Sequence, residues 1–369
     1  MSERGGKRML IHEMRSGEKV FLRDGTIIVR FPGPRRVVST ARINGGYRED
    51  LEAVFNYHIP ADCKAEELPG GSAEGYLGYL TEKLGLPRDR TAGLLTAARM
   101  ENAAIRALSF RELEVTAIVT AGVDVNGGRA GDPARHYELD GRWTYLGGTI
   151  NILLFVDGNL PPHTLVRALV TATEAKAAAL QELMAPSRYS RGIATGSGTD
   201  QIIAVSNAES PHLFTCAGKH SKLGELIGKV VKEATREALE KETGLSPKRQ
   251  RNFLARLERY GIGPEDFWRE AQETGLAFEK DRYFEQLHQL AGDARLVALV
   301  ASLLHLLDEH EWGLLPAGVV IEEGGKYLRS SLPWAFPSGQ EKDPVAFLLA
   351  AFVSGVNKLI KNSGAAAPE

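Results

Sequence analysis

The chain has 369 residues, enough for about two domains at roughly 150 residues each. Its composition, 43% hydrophobic and 25% charged, is that of a globular chain with ample core. A net charge of −2 supplies no basic field to gather phosphates, so nucleic acid is not the expected partner.

The two cysteines, Cys63 and Cys216, give neither a disulfide framework nor metal-ligand spacing, and a reducing cytoplasm is the simpler expectation. Residues 1–8 are charged and no long apolar stretch follows, so no secretory signal is expected. The longest apolar run, 296–307, is broken by Ser302 and His305 and is too short to cross a bilayer; no membrane partner is expected.

Residues 9–60 read as β-rich. Short β-branched runs at 20–22, 26–31 and 36–40 are separated by Asp24-Gly25 and by the Pro-Gly-Pro at 32–34, and Asp-Gly between such runs signals a hairpin. A glycine turn follows at 42–46, then a strand at 53–59. Ser72 is placed to cap a helix running to Leu84, which Gly85 and Pro87 end. Residues 94–108 fit a second helix or begin as a strand, and both readings stay open. Residues 113–120 alternate and then turn apolar, as a strand does. Residues 123–143 read as loop and turn, and 149–156 as a strand buried on both faces.

Residues 160–184 predict a helix entered through Pro161 and Pro162. Leu165, Leu169, Ala172, Leu180 and Leu183 share one face; Arg167, Thr171, Glu174 and Ala178 share another. A strand is expected at 201–205. A helix at 221–242 turns Leu223, Leu226, Ile227, Val230 and Ala234 inward, with Gly224 and Gly228 permitting close approach. Past 243 the character changes. Helices are expected at 248–260, 264–274, 281–291, 293–310 and 344–361, with a break at 312–342 that holds Trp312 and Trp334. The fold class is therefore α+β. Residues 1–243 form a mixed β-sheet domain with flanking helices, and 244–369 a helical accessory domain. The residues from 364 onward read as a disordered tail.

Three glycine-rich loops at 120–132, 147–152 and 194–200 each sit beside an apolar run. No lysine follows Gly196 to Thr199 in a Walker pattern, and no glycine set has dinucleotide spacing, so ATP and NAD chemistry find little support. The loops instead offer groups that polarise a carbonyl and move a proton. Ser197, Thr199 and Thr149 are hydroxyls at strand ends, and Asn126 and Asn151 are amides able to donate to an oxyanion. Asp132, Asp200 and Glu174 are carboxylates, and Arg129 is a fixed cation. His220 precedes the Ser221 cap, where the helix N-terminus disfavours imidazolium and suits a neutral base. Plainer readings stand beside these. Asp200 caps a turn, Thr149 and Asn151 satisfy buried backbone, and Glu174 is a solvated helix residue. The histidines show no pair at metal spacing, so no protein-bound metal is expected.

Several segments together resemble the adenosylcobinamide amidohydrolases of corrinoid salvage. They are 37–46, the strand ending at 55–58, 120–124, 148–152, 171–176, 194–200 and 222–228, in that order. The resemblance covers about residues 20–240. It implies hydrolysis of the amide joining the aminopropanol arm to the corrin ring of adenosylcobinamide, giving adenosylcobyric acid and (R)-1-amino-2-propanol. Cobalt and the adenosyl group then belong to the substrate, and no cofactor is implied.

Amide hydrolysis needs a nucleophile, an oxyanion site and an acid for the leaving amine. In one arrangement Ser197 or Thr199 attacks, with His220 or Asp200 as base. In the other, Glu174 or Asp200 activates water. Asn151 and loop N–H groups near Gly196 and Gly198 bind the oxyanion in either. Asn44, Gly45, Gly46, Asn126, Arg129 and Thr149 join those glycines as substrate-binding candidates. Direct water attack is preferred, because Gly196 to Thr199 leads into a strand rather than forming a strand-to-helix nucleophile elbow. The alternative function is a corrinoid-binding or carrier protein without hydrolysis. The basic residues of 248–251, with Arg256 and Arg259, are interleaved with Glu258, Glu265, Asp266 and Glu270 and read as a solvated helical hairpin. The helical domain is expected to cover the pocket, to form a homo-oligomer or to receive another corrinoid-pathway enzyme.

Overall fold

The chain begins with three strands, β1 (Met9–Glu13), β2 (Lys19–Arg23) and β3 (Thr26–Arg30). Asp24 and Gly25 both have positive φ, 49° and 67°, the two-residue turn whose twist suits a hairpin. Arg23 therefore pairs with Thr26 and the antiparallel register runs back to Lys19 and Arg30. There follow β4 (Arg35–Ser39), β5 (Gly46–Arg48), β6 (Ala53–His58), α1 (Ala73–Lys83), β7 (Thr91–Thr96), β8 (Ala104–Phe110) and β9 (Leu113–Ala121). Then come β10 (Gly127–Gly128), β11 (Ile150–Val156), α2 (Pro162–Glu182), β12 (Gly196–Ser197), β13 (Gln201–Asn207) and α3 (Lys222–Thr243). This computed structural model describes residues 8–60, 63, 65–134, 149–275, 278–334 and 342–364. Gly147, Gly148, His136, the expected loop from 135 to 143 and the tail beyond 364 lie outside the described residues.

Two sheets form. One has the order β1-β2-β3-β6-β7, and the other β5-β4-β13-β11-β9-β8. Both are mixed: β6–β7 and β11–β13 are parallel, the other pairs antiparallel. They pack face to face through Val20, Ile27, Val29, Val54 and Leu94 on one side and Val37, Ile118, Leu153, Phe155 and Ile203 on the other. The outer face of the larger sheet packs on α2 and α3, and that of the smaller sheet on α1. The layers are thus helix, sheet, sheet, helix, an α+β arrangement. All seven residues of β11 are buried. Its even-numbered side chains face the helices and Asn151, Leu153 and Phe155 face the other sheet. A one-residue slip would push Asn151 into the helix-facing core, where each misplaced Leu or Ile would forfeit part of about 1.5–3 kcal/mol of burial, so the register is strongly specified.

The helices start and stop as the caps require. Ser72 accepts from the Gly75 N–H to begin α1, and Ser221 from the Gly224 N–H to begin α3, which Gly244 ends at φ 71°. A Cβ on Gly224 would lie 2.0 Å from the Gly218 carbonyl oxygen, so that glycine lets the preceding loop close on α3; Gly228 faces open space and plays no such part. Residues 94–108 resolve as the end of β7, a 3₁₀ turn and β8, not a helix. Thr171, expected on the polar face of α2, is buried, and its hydroxyl donates to the Ala217 carbonyl at 2.7 Å.

The chain divides into two compact units, Met1–Ser246 and Pro247–Glu369. The second contains α4 (Phe253–Leu257), α5 (Pro264–Glu273), α6 (Lys280–Ala291), α7 (Ala294–Glu311), α8 (Ala317–Ser331) and α9 (Pro344–Gly364). The helix expected from 248 begins only at Phe253, where Asn252 caps it, and the expected break at 312–342 contains α8. Phe253, Phe267 and Phe352 meet at the centre of this unit with ring centroids 5.2 to 6.3 Å apart. Arg259 pairs with Asp308 in its interior, and Arg256 donates to the Gln250 carbonyl at 2.8 Å. Two of the cations that gave this segment its basic look therefore serve internal bonds. Residues 344–362 of α9 are long and apolar enough to cross a membrane, which the apolar run 296–307 is not, and 61% of that stretch is buried within the fold, as in a core helix.

Candidate active site

The parallel pair β11–β13 places the starts of both strands at one end of the larger sheet. β4 runs antiparallel to β13, so its end arrives there too, with the Thr40 N–H donating to the Ile202 carbonyl at 3.0 Å. The sheet packing brings the ends of β6 and β7 beside them. A cavity of about 300 Å³ opens at this edge of the sandwich. Thr40, Arg42, Thr96, Asn126, Thr149, Tyr189 and residues 198–201 supply its polar wall, and Ile59, Pro60, Ala73, Leu77 and Leu95 its apolar one.

Asp200 organises the polar wall. Its Oδ1 accepts from the Ser197 hydroxyl at 2.7 Å and from the Ile150 N–H at 3.0 Å. Its Oδ2 accepts from the Ser197 N–H at 3.1 Å and from Lys176 Nζ. The ion pair is nearly dry, with side chains 8% and 11% exposed. Four donors, one of them cationic, leave this carboxylate poorly placed to take a proton from water. Around it, the Thr149 hydroxyl donates to the Thr199 carbonyl at 2.5 Å, and Ser197 Oγ accepts from the Thr199 N–H at 3.3 Å. The turn at 196–200 is thereby stitched to the start of β11.

Behind the cavity, Asn151 is fully buried and donates to Asn56 Oδ1 at 2.8 Å and to the Leu95 carbonyl at 3.0 Å. Both its N–H bonds are spent inside the fold, so an oxyanion in the cavity would not find them. Asn126, 4% exposed, does reach the cavity. Asp132 accepts from the Arg129 N–H at 2.8 Å and from Ser187 Oγ at 2.5 Å, tying the turn that carries Asn126 to the segment that carries Tyr189. Burial raises its pKa, and hydrogen bonds from Ser187, Ser190 and the Arg129 N–H outweigh that and hold it below the usual aspartate value.

Of the candidates read from the sequence, the fold brings Asn126, Thr149, Gly198, Thr199 and Asp200 to the cavity wall and sets Asn151, Gly196 and Ser197 directly behind it. It brings the others elsewhere. Glu174 projects from α2, 46% exposed, and pairs with Lys219 at 2.8 Å; that bond keeps its carboxyl below the ordinary glutamate range. His220 is exposed beside it. The loop leading to His220 bridges Asn159 through Leu213, at the end of β11 remote from the cavity. Asn44 has φ 50° and holds a turn, donating to the Arg88 and Thr91 carbonyls at 2.7 and 2.8 Å. Gly45 is needed there because a Cβ would lie 2.0 Å from the Ala41 carbonyl oxygen, and Gly46 has φ 78°. Arg129 is exposed and does not line the cavity.

The fold adds Lys176, Arg42, Thr96, Tyr189 and the Asn56–Thr120 pair to the candidates legible in the sequence. Lys176 carried a signal: it falls on the α2 face of Ala168, Ala172, Ala175 and Ala179, where a charge is out of place. Asn56 interrupts an apolar strand. Arg42 and Tyr189 reach the cavity only through tertiary folding and had none. Among the described residues, no group of three or more His, Cys, Asp or Glu side chains could hold a metal ion.

A cavity of hydroxyl and amide groups at a sheet edge is the setting of a hydrolase as much as of a binding protein, and the comparisons decide its class. The sequence model of the adenosylcobinamide amidohydrolase family matches residues 9–247. The chain belongs to that family and is by this membership an amidohydrolase. An uncharacterized protein of Methanocaldococcus jannaschii is 34% identical over 229 residues, 59% of this chain and 86% of its own length. An adenosylcobinamide amidohydrolase of Methanosarcina mazei is 29% identical over 231 residues, 59% of this chain and 96% of its own. Among solved structures, a Burkholderia sp. beta-aminopeptidase aligns over 64% of this chain and 82% of its own at 12% identity, with a TM-score of 0.32, too low a likeness to bear on fold or chemistry.

Proposed function

We propose that the chain hydrolyses the amide between the aminopropanol arm and the corrin ring of adenosylcobinamide, yielding adenosylcobyric acid and (R)-1-amino-2-propanol, as a step of corrinoid salvage in the cytoplasm. The observation that carries this reading is that the family match and the cavity coincide. Asn126, Thr149, Gly198, Thr199 and Asp200 lie within the matched span and line one cavity. Its volume, about 300 Å³, suits a side arm rather than a whole corrin, so the arm enters while the ring and its adenosyl group rest at the mouth.

The two carboxylates that sequence reasoning offered as bases are otherwise engaged, Asp200 by its four donors and Glu174 by Lys219 at the surface. We therefore favour attack from the hydroxyl-bearing turn, with Thr199 at the wall ahead of Ser197, and with Asn126 and the Gly198 N–H facing the developing oxyanion. The Thr199 hydroxyl gives its proton to the amine nitrogen as the ester forms and the C–N bond breaks; water then cleaves the ester, returning a proton to Thr199 and leaving its oxygen in the corrinoid carboxylate. Cobalt enters with the substrate, and the protein needs no cofactor of its own; activity should persist after exhaustive chelation.

Incubating the purified chain with adenosylcobinamide and measuring released aminopropanol tests the reading. Tight corrinoid binding with no release would instead make the chain a carrier.

A further inference from the structure

Of the nine buried residues of α2, Lys176 alone is charged. An ammonium on a face of alanines and leucines is strongly unfavourable without a partner. Its partner is Asp200, and the two meet under Gly196, where a Cβ would lie 2.2 Å from Asp200 Oδ2 and 2.6 Å from Lys176 Nζ. The glycine of this loop is thus explained by the ion pair beneath it, not by a ligand above it. Asp200 in turn holds the Ser197 N–H, the Ser197 hydroxyl and the Ile150 N–H. Those donors bracket the turn that presents Gly198 and Thr199 to the cavity. Lys176 itself does not line the cavity.

We propose that Lys176 is a positioning residue for amide hydrolysis, acting through Asp200 to fix the 196–200 turn against the start of β11. This rests on the hydrolytic reading above. Without the ammonium, Asp200 is a buried carboxylate with no cation. It then turns toward solvent or draws water in, giving up its bonds to the Ser197 and Ile150 N–H groups, and either change frees the turn.

The test compares K176M, K176R and the charge-free pair K176M/D200N with the parent chain. Three quantities are read: hydrolysis of adenosylcobinamide, its binding followed by visible absorption, and amide hydrogen exchange at Ser197 and Ile150. K176M should lower kcat about 100-fold, the scale of a small misplacement of reacting groups, with KM within about threefold. Exchange at both amides should quicken, and K176R should recover at least about tenfold of the lost kcat. K176M/D200N leaves no unpaired charge, so it keeps its fold and should still show the loss in kcat. Parent-like kcat in either K176M or the double variant would overturn the proposal, as would unchanged exchange at Ser197 and Ile150. Absence of hydrolysis by the parent chain would sink the hydrolytic reading instead, and exchange would still decide whether Lys176 holds the turn.

Discussion

Asn151 on β11 reaches across the sandwich and donates its side-chain amide to Asn56 Oδ1 on β6 at 2.8 Å. Asn56 passes the chain on to Thr120 Oγ1 at 2.8 Å, and Asn151 donates also to the Leu95 carbonyl at 3.0 Å. Much of the shared face is apolar; here, next to the cavity, the sheets are joined by a buried polar chain. Asn151→Leu removes a donor from both Asn56 and Leu95, at about 1–3 kcal/mol for each buried group left unsatisfied. Calorimetry should show a clearly lowered unfolding temperature. A loss of activity at unchanged stability would speak for Asn151 as an oxyanion donor.

Glu174→Gln should leave hydrolysis within about twofold of the parent, as expected for a surface ion pair that contributes little. Glu174 is exposed and its carboxylate answers to Lys219, away from the cavity. Steady-state kinetics decide it. A large drop in kcat would return Glu174 to the reaction as a base.

The residues that could be read from the sequence and those that could not differ in kind. The hairpin at Asp24-Gly25, the caps at Ser72 and Ser221 and the fully buried β11 are local or periodic signals, and each appears in the fold. The glycine loops at 120–132 and 194–200 do meet at one cavity. What local pattern cannot carry is which face a polar residue takes after packing. Thr171 falls on the face of α2 that carries Arg167 and Glu174 and looks solvated, yet it is buried because the loop before α3 covers it. His220, beside a well-formed cap, looked poised for catalysis; the fold leaves it exposed and outside the cavity lining. In the helical unit, Gly313 and Pro316 mark only a short turn, and α8 follows within the stretch 312–342 whose sequence reads as a break.

Attack by the turn hydroxyls predicts a covalent intermediate. Thr199→Ala should lower kcat by at least about 100-fold, since a displaced nucleophile costs several powers of ten in rate, and Ser197→Ala by less. Ser197 acts on Asp200 and on the Thr199 N–H rather than on the cavity. Mass spectrometry of acid-quenched parent enzyme should find the cobyric acyl group attached at Thr199. Full activity in Thr199→Ala would restore direct attack by water.

Asp132 links pH to the cavity wall. Its carboxyl sits below the usual 3.8, so the stability it contributes is complete above that value and is lost as pH falls through the lower folded value. Between neutrality and pH 5 the bonds from Arg129 and Ser187 should hold. Only below the usual aspartate value, as pH falls through the lower folded one, should protonation release the turn bearing Asn126 from the segment bearing Tyr189. Asp132→Asn should lack this acid-induced loosening, having paid for it already at pH 7, and exchange at the Arg129 amide as a function of pH would show the difference.

Hydrolysis turns a neutral amide into a carboxylate, and the cavity is not neutral toward that change. Asp200 is offset by Lys176, which leaves Arg42 as the cation in the cavity wall among the described residues; its guanidinium pairs at 2.9 Å with Glu74, itself 48% exposed and able to yield to a competitor. A corrinoid carboxylate formed beside Arg42 gains a charge-assisted bond that the substrate amide lacks. Arg42→Ala should therefore raise the inhibition constant for adenosylcobyric acid by about tenfold or more, the equivalent of one such bond, while moving the KM for adenosylcobinamide less than about threefold. Arg42→Lys should fall between, since an ammonium keeps the charge and loses the fork. Inhibition by added product, measured against varied substrate, separates the two constants. An equal shift in both would place Arg42 in general corrinoid binding and remove its selectivity for the product.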